Sequence, residues 1–179
     1  RKQNEIEEFL EYIKYLYDID VDAIILQDIG MARLVKELLP DFEIHASTQM
    51  TIHNLEGVLE AEKLGFKRAV LSRELSLEEI EYICNNSDIE IETFIHGALC
   101  ISYSGQCLFS SMVGGRSGNR GECAQPCRLP YSSHHGAEYP LSLKDLSLAN
   151  HIPALIDSGV ASLKIEGRMK SPGYVYTVT

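Results

Sequence analysis

The sequence predicts an α/β fold, a partial parallel (β/α) TIM-like barrel into which a cysteine-rich loop is inserted. Short runs of branched apolar residues alternate with amphipathic helical stretches from residue 5 to residue 96, and again from 146 to 166. That alternation joins parallel strands through right-handed crossovers. Polar side chains gather at the C-terminal end of one strand after another, as on the active-site face of a parallel barrel; an open sheet would concentrate them at a single switch point. Five strands are visible against the eight of a closed barrel, and the chain opens on Arg1-Lys2-Gln3 and enters a helix. It therefore reads as one domain over 1–179, a fragment of a longer barrel. A second copy or a partner subunit is expected to cover its open edge.

Each element has its own signal. Glu5 to Tyr17 sets Ile6, Phe9, Leu10, Ile13, Leu16 and Tyr17 at helical spacing between acids. Val21 to Leu26 is a branched apolar run, the pattern of a strand buried on both faces. Gly30 to Leu39 is helical and stops at Pro40. Glu43 to Ser47 is the second strand, and His53 to Leu64 a helix closed by Gly65. Ala69 to Ser72 is the third strand. Ser76 caps the next helix, with Glu79 completing a capping box ahead of Leu77, Ile80 and Ile83. Ile89 to His96 is the fourth strand, Leu146 to Ser158 a helix interrupted near Pro153, and Ala161 to Glu166 the fifth strand. Gln27 and Asp28, then His45, Ser47 and Gln49, then Ser72 and Arg73, then His96, then Glu166 and Arg168 lie at or just past successive strand ends.

At 179 residues, 45% hydrophobic and 23% charged, the chain has the composition of an ordinary globular domain. No stretch is apolar enough to span a membrane and no signal peptide opens the chain, so a cytoplasmic location is expected. The net charge of −10 is uneven. Residues 1–99 carry 9 Lys and Arg against 21 Asp and Glu, whereas residues 100–179 carry 7 against 5. An anionic partner is therefore expected at the second half. Arg116, Arg120, Arg128, Lys164, Arg168 and Lys170 are the candidate contacts to it, unless they pair with nearby carboxylates.

Residues 97–140 form the chemical centre of the sequence. Cys100, Cys107, Cys123 and Cys127, four of the five cysteines, stand with six, fifteen and three residues between them, around Gly114-Gly115-Arg116-Ser117-Gly118-Asn119-Arg120-Gly121. Thiols in a reducing compartment stay reduced, which disfavours two disulfides. Four soft thiolates suit one iron–sulfur cluster or one zinc ion, and the irregular spacing is unlike the paired knuckles of a zinc ribbon. Cys84, on a helix beside Ile83, reads as a buried structural thiol. His134 and His135 fall in a polar turn.

The stretches Glu92-Thr93-Phe94-Ile95-His96-Gly97-Ala98-Leu99-Cys100, Ser104-Gly105-Gln106-Cys107, Gly115 to Gly121 and Cys123-Ala124-Gln125-Pro126-Cys127-Arg128 resemble the signature of the collagenase-like peptidases, peptidase group U32. Ser47-Thr48-Gln49-Met50 and Lys164 to Pro172 extend the likeness over essentially the whole chain, and Phe109 departs from the usual aliphatic residue. The resemblance implies two kinds of activity. One is proteolysis of extended, collagen-like peptides, yet the sequence holds neither a His-Glu-x-x-His helix nor a Gly-x-Ser-x-Gly elbow. A Cys100 nucleophile with His96 would leave three cysteines unused.

The other is oxygen-independent hydroxylation of an RNA base, in tRNA or 23S rRNA, or of a quinone precursor, by a 4Fe-4S enzyme that takes the hydroxyl group from prephenate. On that reading Cys100, Cys107, Cys123 and Cys127 ligate the cluster. His45, Gln49, Arg73 and His96, with Glu166, bind the dianionic co-substrate and move protons. The basic residues meet RNA phosphates, and Tyr103, Phe109 and Tyr131 are available to stack on bases. Glu166 and Arg168 have an ion pair as their plain alternative. A zinc-stabilised scaffold that only binds RNA or protein is the third possibility.

Overall fold

The structure, a computed structural model, describes residues 5–134, 136–167 and 170–179. Helix α1 (Ile6–Asp18) leads into strand β1 (Ala23–Leu26), followed by α2 (Ile29–Leu38), β2 (Glu43–Ala46), α3 (Leu55–Lys63), β3 (Arg68–Val70), α4 (Leu77–Asn85) and β4 (Glu90–Gly97). The cysteine-rich segment carries α5 (Phe109–Gly114) and a small hairpin, β5 (Tyr131–Ser133) with β6 (Gly136–Glu138). The chain returns through β7 (Leu146–Ser147), α6 (Ile152–Asp157) and β8 (Ser162–Glu166) to α7 (Pro172–Val178).

Strands β1, β2, β3, β4 and β8 pair in that order, all parallel, and β7 lies antiparallel against the end of β4. The order never reverses, so there is no switch point of the doubly wound kind, and the sheet is a barrel arc. Capping fixes the helices in phase. Asp28 accepts from Met31 N–H at the start of α2, Asn54 from Gly57 N–H at α3, and Ser76 and Glu79 form the expected capping box at α4. Gly65 closes α3 with φ +86°, a conformation that suits glycine.

The two faces of the arc differ in kind. Alternate strand residues Ile24, Leu26, Ile44, Ala46, Ala69, Ile91 and Ile95 point outward and bury against Phe9, Ile13, Val35, Val58, Ile80, Ile83 and Leu155 of the helices. The inner face is charged, where a closed barrel usually stacks branched apolar side chains. Arg68 pairs with Glu90 at 2.5 Å and with Glu92 at 3.4 Å, and Lys164 reaches Glu92 at 2.7 Å. Ser162 Oγ donates to the same carboxylate at 2.8 Å. Burial pushes the Glu92 carboxyl up, but the hydrogen bonds from Lys164 and Ser162 outweigh it and hold its pKa below the ordinary glutamate value.

Two expectations need correction. Val21 to Leu26 is not buried on both faces, because Ile25 is 53% exposed on the inner side of β1, one of the two ends of the arc among the described residues. Residues 146–158 do not form one interrupted helix. Leu146 and Ser147 pair with Gly97 and His96, and the helix begins only at Ile152, with Pro153 in its first turn, where a missing N–H costs nothing.

Candidate active site at the mouth of the arc

The C-terminal ends of the strands carry the polar side chains expected there. Arg73, just past β3, lays its guanidinium 3.8 Å from the centre of the Phe94 ring and reaches Glu166, at the end of β8, at 3.1 Å. Glu166 thus pairs with Arg73; Arg168 lies outside the described residues. The approach of β8 depends on Gly97. That residue has φ +114°, and a Cβ there would stand 2.6 Å from the Glu166 carbonyl oxygen and 2.7 Å from its Cβ.

The cysteine segment is clamped across this mouth. Ser104 donates to Glu74 Oε1 through its N–H at 3.0 Å and its hydroxyl at 3.1 Å, while its own Oγ accepts from Arg73 N–H at 3.3 Å. Thr51 Oγ1 donates to the Ser104 carbonyl at 2.8 Å, and Gln106 Nε2 donates back to Thr51 Oγ1 at 2.7 Å. Ser110 Oγ receives Ala124 N–H at 2.9 Å, drawing the second cysteine pair toward α5. Arg128 donates to Ser142 Oγ, to the Leu143 carbonyl and, at 2.7 Å, to the Leu99 carbonyl. These bonds place Cys100, Cys123 and Cys127 on the wall of one cavity of about 470 Å³ that also takes in Arg73, Glu166 and Lys170.

All five cysteines are unbridged. Cys107 does not line that cavity but lies beside it: a Cβ added at Gly118 would stand 3.8 Å from both the Cys107 carbonyl and Cys123 Cβ. Gln125 turns in the left-handed region at φ +55° and aims its N–H at Cys123 Sγ, 3.4 Å away. Burial pushes the Cys127 thiol up, Arg128 pulls it down, and Cys100 and Cys123 push it up again, so the three sulfurs share one electrostatic neighbourhood. Among the described residues no three His, Cys, Asp or Glu side chains are arranged to hold one metal ion. The donor set nevertheless fits a soft metal centre: three thiols on one cavity, the fourth adjacent, and cations on the same wall to balance thiolate charge. Burial raises the pKa of Cys84, in keeping with a structural thiol.

The other candidates disperse. His45 lies deeper on the inner face, with Nε2 2.8 Å from Glu43 Oε1. His96 Nδ1 is 2.5 Å from the hydroxyl of Tyr174, a residue of α7 that no local motif distinguishes. Gln49 lines a separate cavity at the ends of β1 and β2. Among the candidate phosphate contacts, Arg120 grips Glu5 with 2.9 and 2.7 Å bonds, Arg116 Nε donates to the Glu122 carbonyl, and Lys164 is held by Glu92. Lys170 pairs with Asp145 at 2.6 Å, which holds that carboxyl below its usual range. Tyr103 stays 69% exposed, whereas Tyr131 donates its hydroxyl to the Pro126 carbonyl.

Fold and site together define a (β/α)-barrel protein with a thiol-lined, cation-bearing cavity at the C-terminal mouth. The model of peptidase family U32 matches residues 1–179, and the chain belongs to that family. It is similar to a 23S rRNA 5-hydroxycytidine synthase of Escherichia coli, 44% identical over 98% of this chain and 28% of that protein. It is also similar to a tRNA hydroxylation protein of Bacillus subtilis, 42% identical over 94% of this chain and 43% of the relative. A protein of Porphyromonas gingivalis named collagenase is 36% identical over 88% of the chain and 42% of its own length. The chain thus spans less than half of each of these relatives. A solved U32 peptidase shares the fold, with a TM-score of 0.61 at 16% identity over 96% of this chain and 65% of the other. Among the described residues no helix is long and apolar enough to cross a membrane.

Proposed function

We propose that the intact protein is an iron–sulfur enzyme that hydroxylates a base of tRNA or 23S rRNA without molecular oxygen, taking the hydroxyl group from prephenate. The observation that carries this reading is the cavity itself, where Cys100, Cys123 and Cys127 share a wall with Arg73, Glu166, Arg128 and Lys170. The names of the relatives as RNA-hydroxylation proteins support it. Cys100, Cys107, Cys123 and Cys127 would hold a 4Fe-4S cluster, which supplies redox chemistry when bound. Arg73, oriented by the Phe94 ring, exchanges Glu166 for a carboxylate of the dianion, and Lys170 takes the second. Glu166, once released, is placed to accept a proton. His96 Nδ1 is within hydrogen-bond reach of the Tyr174 hydroxyl at the edge of the site.

The test is iron, sulfide and zinc content with a visible spectrum, on intact protein purified without air. Iron and sulfide in equal amounts, lost in Cys123→Ala, together with RNA from a deletion strain lacking a hydroxylated base, is the expected result. Zinc on all four thiols would favour the scaffold. Metal-free protein whose gelatin cleavage disappears in Cys100→Ala would restore the peptidase. No geometric observation favours the last, since His96 faces Tyr174 and is not among the residues lining the Cys100 cavity.

A further inference from the structure

We infer that Arg120 is a positioning residue for the thiol of Cys123, and that helix α1 supplies its anchor through Glu5. The inference rests on the reading of the four cysteines as one metal centre, and it withdraws Arg120 from the residues expected to meet RNA phosphates. Arg120 Nη2 donates to both carboxylate oxygens of Glu5, at 2.9 and 2.7 Å, across 115 residues of chain. The pair is partly shielded, with side-chain exposures of 46% and 26%. A charged donor on a charged acceptor makes the stronger kind of hydrogen bond.

The anchor is firm, but the loop is not packed tightly against it. Phe9 and Ile13 bury α1 in the outer core, and Glu5 stands one residue before that helix. Between helix and loop lies a cavity of about 740 Å³, lined by Glu8 and Tyr12 of the helix and by Ser117, Asn119 and Glu122 of the loop. Open space transmits no packing contact, so polar ties settle where the loop stands. Arg120 on Glu5 is one tie. Gln27, just past β1, makes another by donating its Nε2 to the Asn119 carbonyl at 2.8 Å.

From Arg120 the constraint reaches the thiol over a short, folded piece of chain. Gly118–Arg120 is a single 3-10 turn, in which the N–H groups of Arg120 and Glu122 both donate to the Ser117 carbonyl, at 3.1 and 3.0 Å. Gly121 then turns the chain at φ +79°, in the left-handed region that suits glycine. Beyond Cys123, Ser110 Oγ holds Ala124 N–H at 2.9 Å. Cys123 is thus the middle of a span fastened at both ends, to α1 by Arg120 and to α5 by Ser110. Untying the first end lets Cys123 drift from Cys100 and Cys127, with which it shares the cysteine cavity. A phosphate, by contrast, would have to displace the Glu5 carboxylate before Arg120 could meet it.

The experiment uses the intact protein freed of metal by a chelator, with dibromobimane to link neighbouring thiols and peptide mass spectrometry to show which pair is joined. The Cys123–Cys127 link is local to the loop and serves as the reference; the Cys100–Cys123 link reports where the loop is seated. Arg120→Ala and Glu5→Ala are each expected to lower the Cys100–Cys123 yield by roughly threefold, the scale of an ion pair that solvent reaches. Arg120→Glu combined with Glu5→Arg is expected to bring it back. A pair that only stabilises the fold would lower the thermal midpoint and leave the ratio of the two links unchanged, which overturns the inference. So does a wild-type protein that forms no Cys100–Cys123 link. Binding to bulk tRNA that weakens in Arg120→Ala and is not restored by the double exchange, with the link ratio unchanged, returns Arg120 to the phosphates. Links that respond as expected in a protein that takes up neither iron nor zinc keep the role of Arg120 and remove the metal centre. Metal uptake with unresponsive links does the reverse.

Discussion

Gly97 carries a disproportionate share of the site's geometry, because the seam between β4 and β8 closes only where no Cβ intervenes. Gly97→Ala must open that seam or strain a backbone held at φ +114°. It is expected to lower stability by roughly 1–3 kcal/mol and to loosen Glu166 from Arg73; urea denaturation reads the first effect, and a weakened affinity for a dianionic ligand the second. Tyr174 offers a milder case at the same scale. Its hydroxyl is the partner of His96, so Tyr174→Phe should destabilise the intact protein by about 1 kcal/mol, and an unshifted thermal midpoint would show that the contact contributes nothing. Both residues are ordinary when read locally. Gly97 was legible as part of a motif, but the reason for a glycine there lies in Glu166, far along the chain.

Elements are held in register by caps outside the arc and by charges inside it. Ser76→Ala removes the hydroxyl half of the capping box of α4 and is expected to cost about 1 kcal/mol, seen as a lower urea midpoint with an unchanged slope. The inner network has a pH signature. Against the push of burial, the hydrogen bonds from Lys164 and Ser162 hold the folded pKa of Glu92 below the ordinary glutamate value. Its contribution is therefore fully present above the unfolded value and is lost as pH falls through the folded one. Glu92→Gln should flatten the acid limb of stability below the ordinary glutamate range, where that loss occurs, and an acid limb identical to wild type would show that the network carries no such linkage. In sequence Arg68, Glu90, Glu92 and Lys164 look like solvated charges on strands, and only the pairing of Arg68 with Glu90 and of Phe94 with Lys164 brings them onto one face.

At the scale of the whole molecule both flanks of the arc are unpaired among the described residues, since β1 pairs only with β2 and β8 only with β4. Ile25 sits on β1, half exposed. An apolar edge of this kind recruits another strand, so the isolated 179-residue chain is expected to self-associate with rising concentration in sedimentation velocity runs. Ile25→Lys should return it to a monomer; monomeric behaviour of the parent chain at all concentrations would show that the edge needs no cover.

Periodicity and capping were sufficient to determine the outer half of this protein. The helix faces, all five parallel strands to within two residues, the capping box at Ser76 and the four clustered thiols all follow from local patterns, because hydrophobic spacing and turn chemistry act over a few residues. Tertiary structure alone decided what those residues do to one another. It paired Arg73 with Glu166 and Phe94, occupied Arg120 and Lys164 with carboxylates, moved Gln49 away from the cysteines, and brought Tyr174 to His96. The physical reason is range: a hydrogen bond or ion pair between strand ends depends on sheet register and loop closure, and neither is written in the spacing of any one segment.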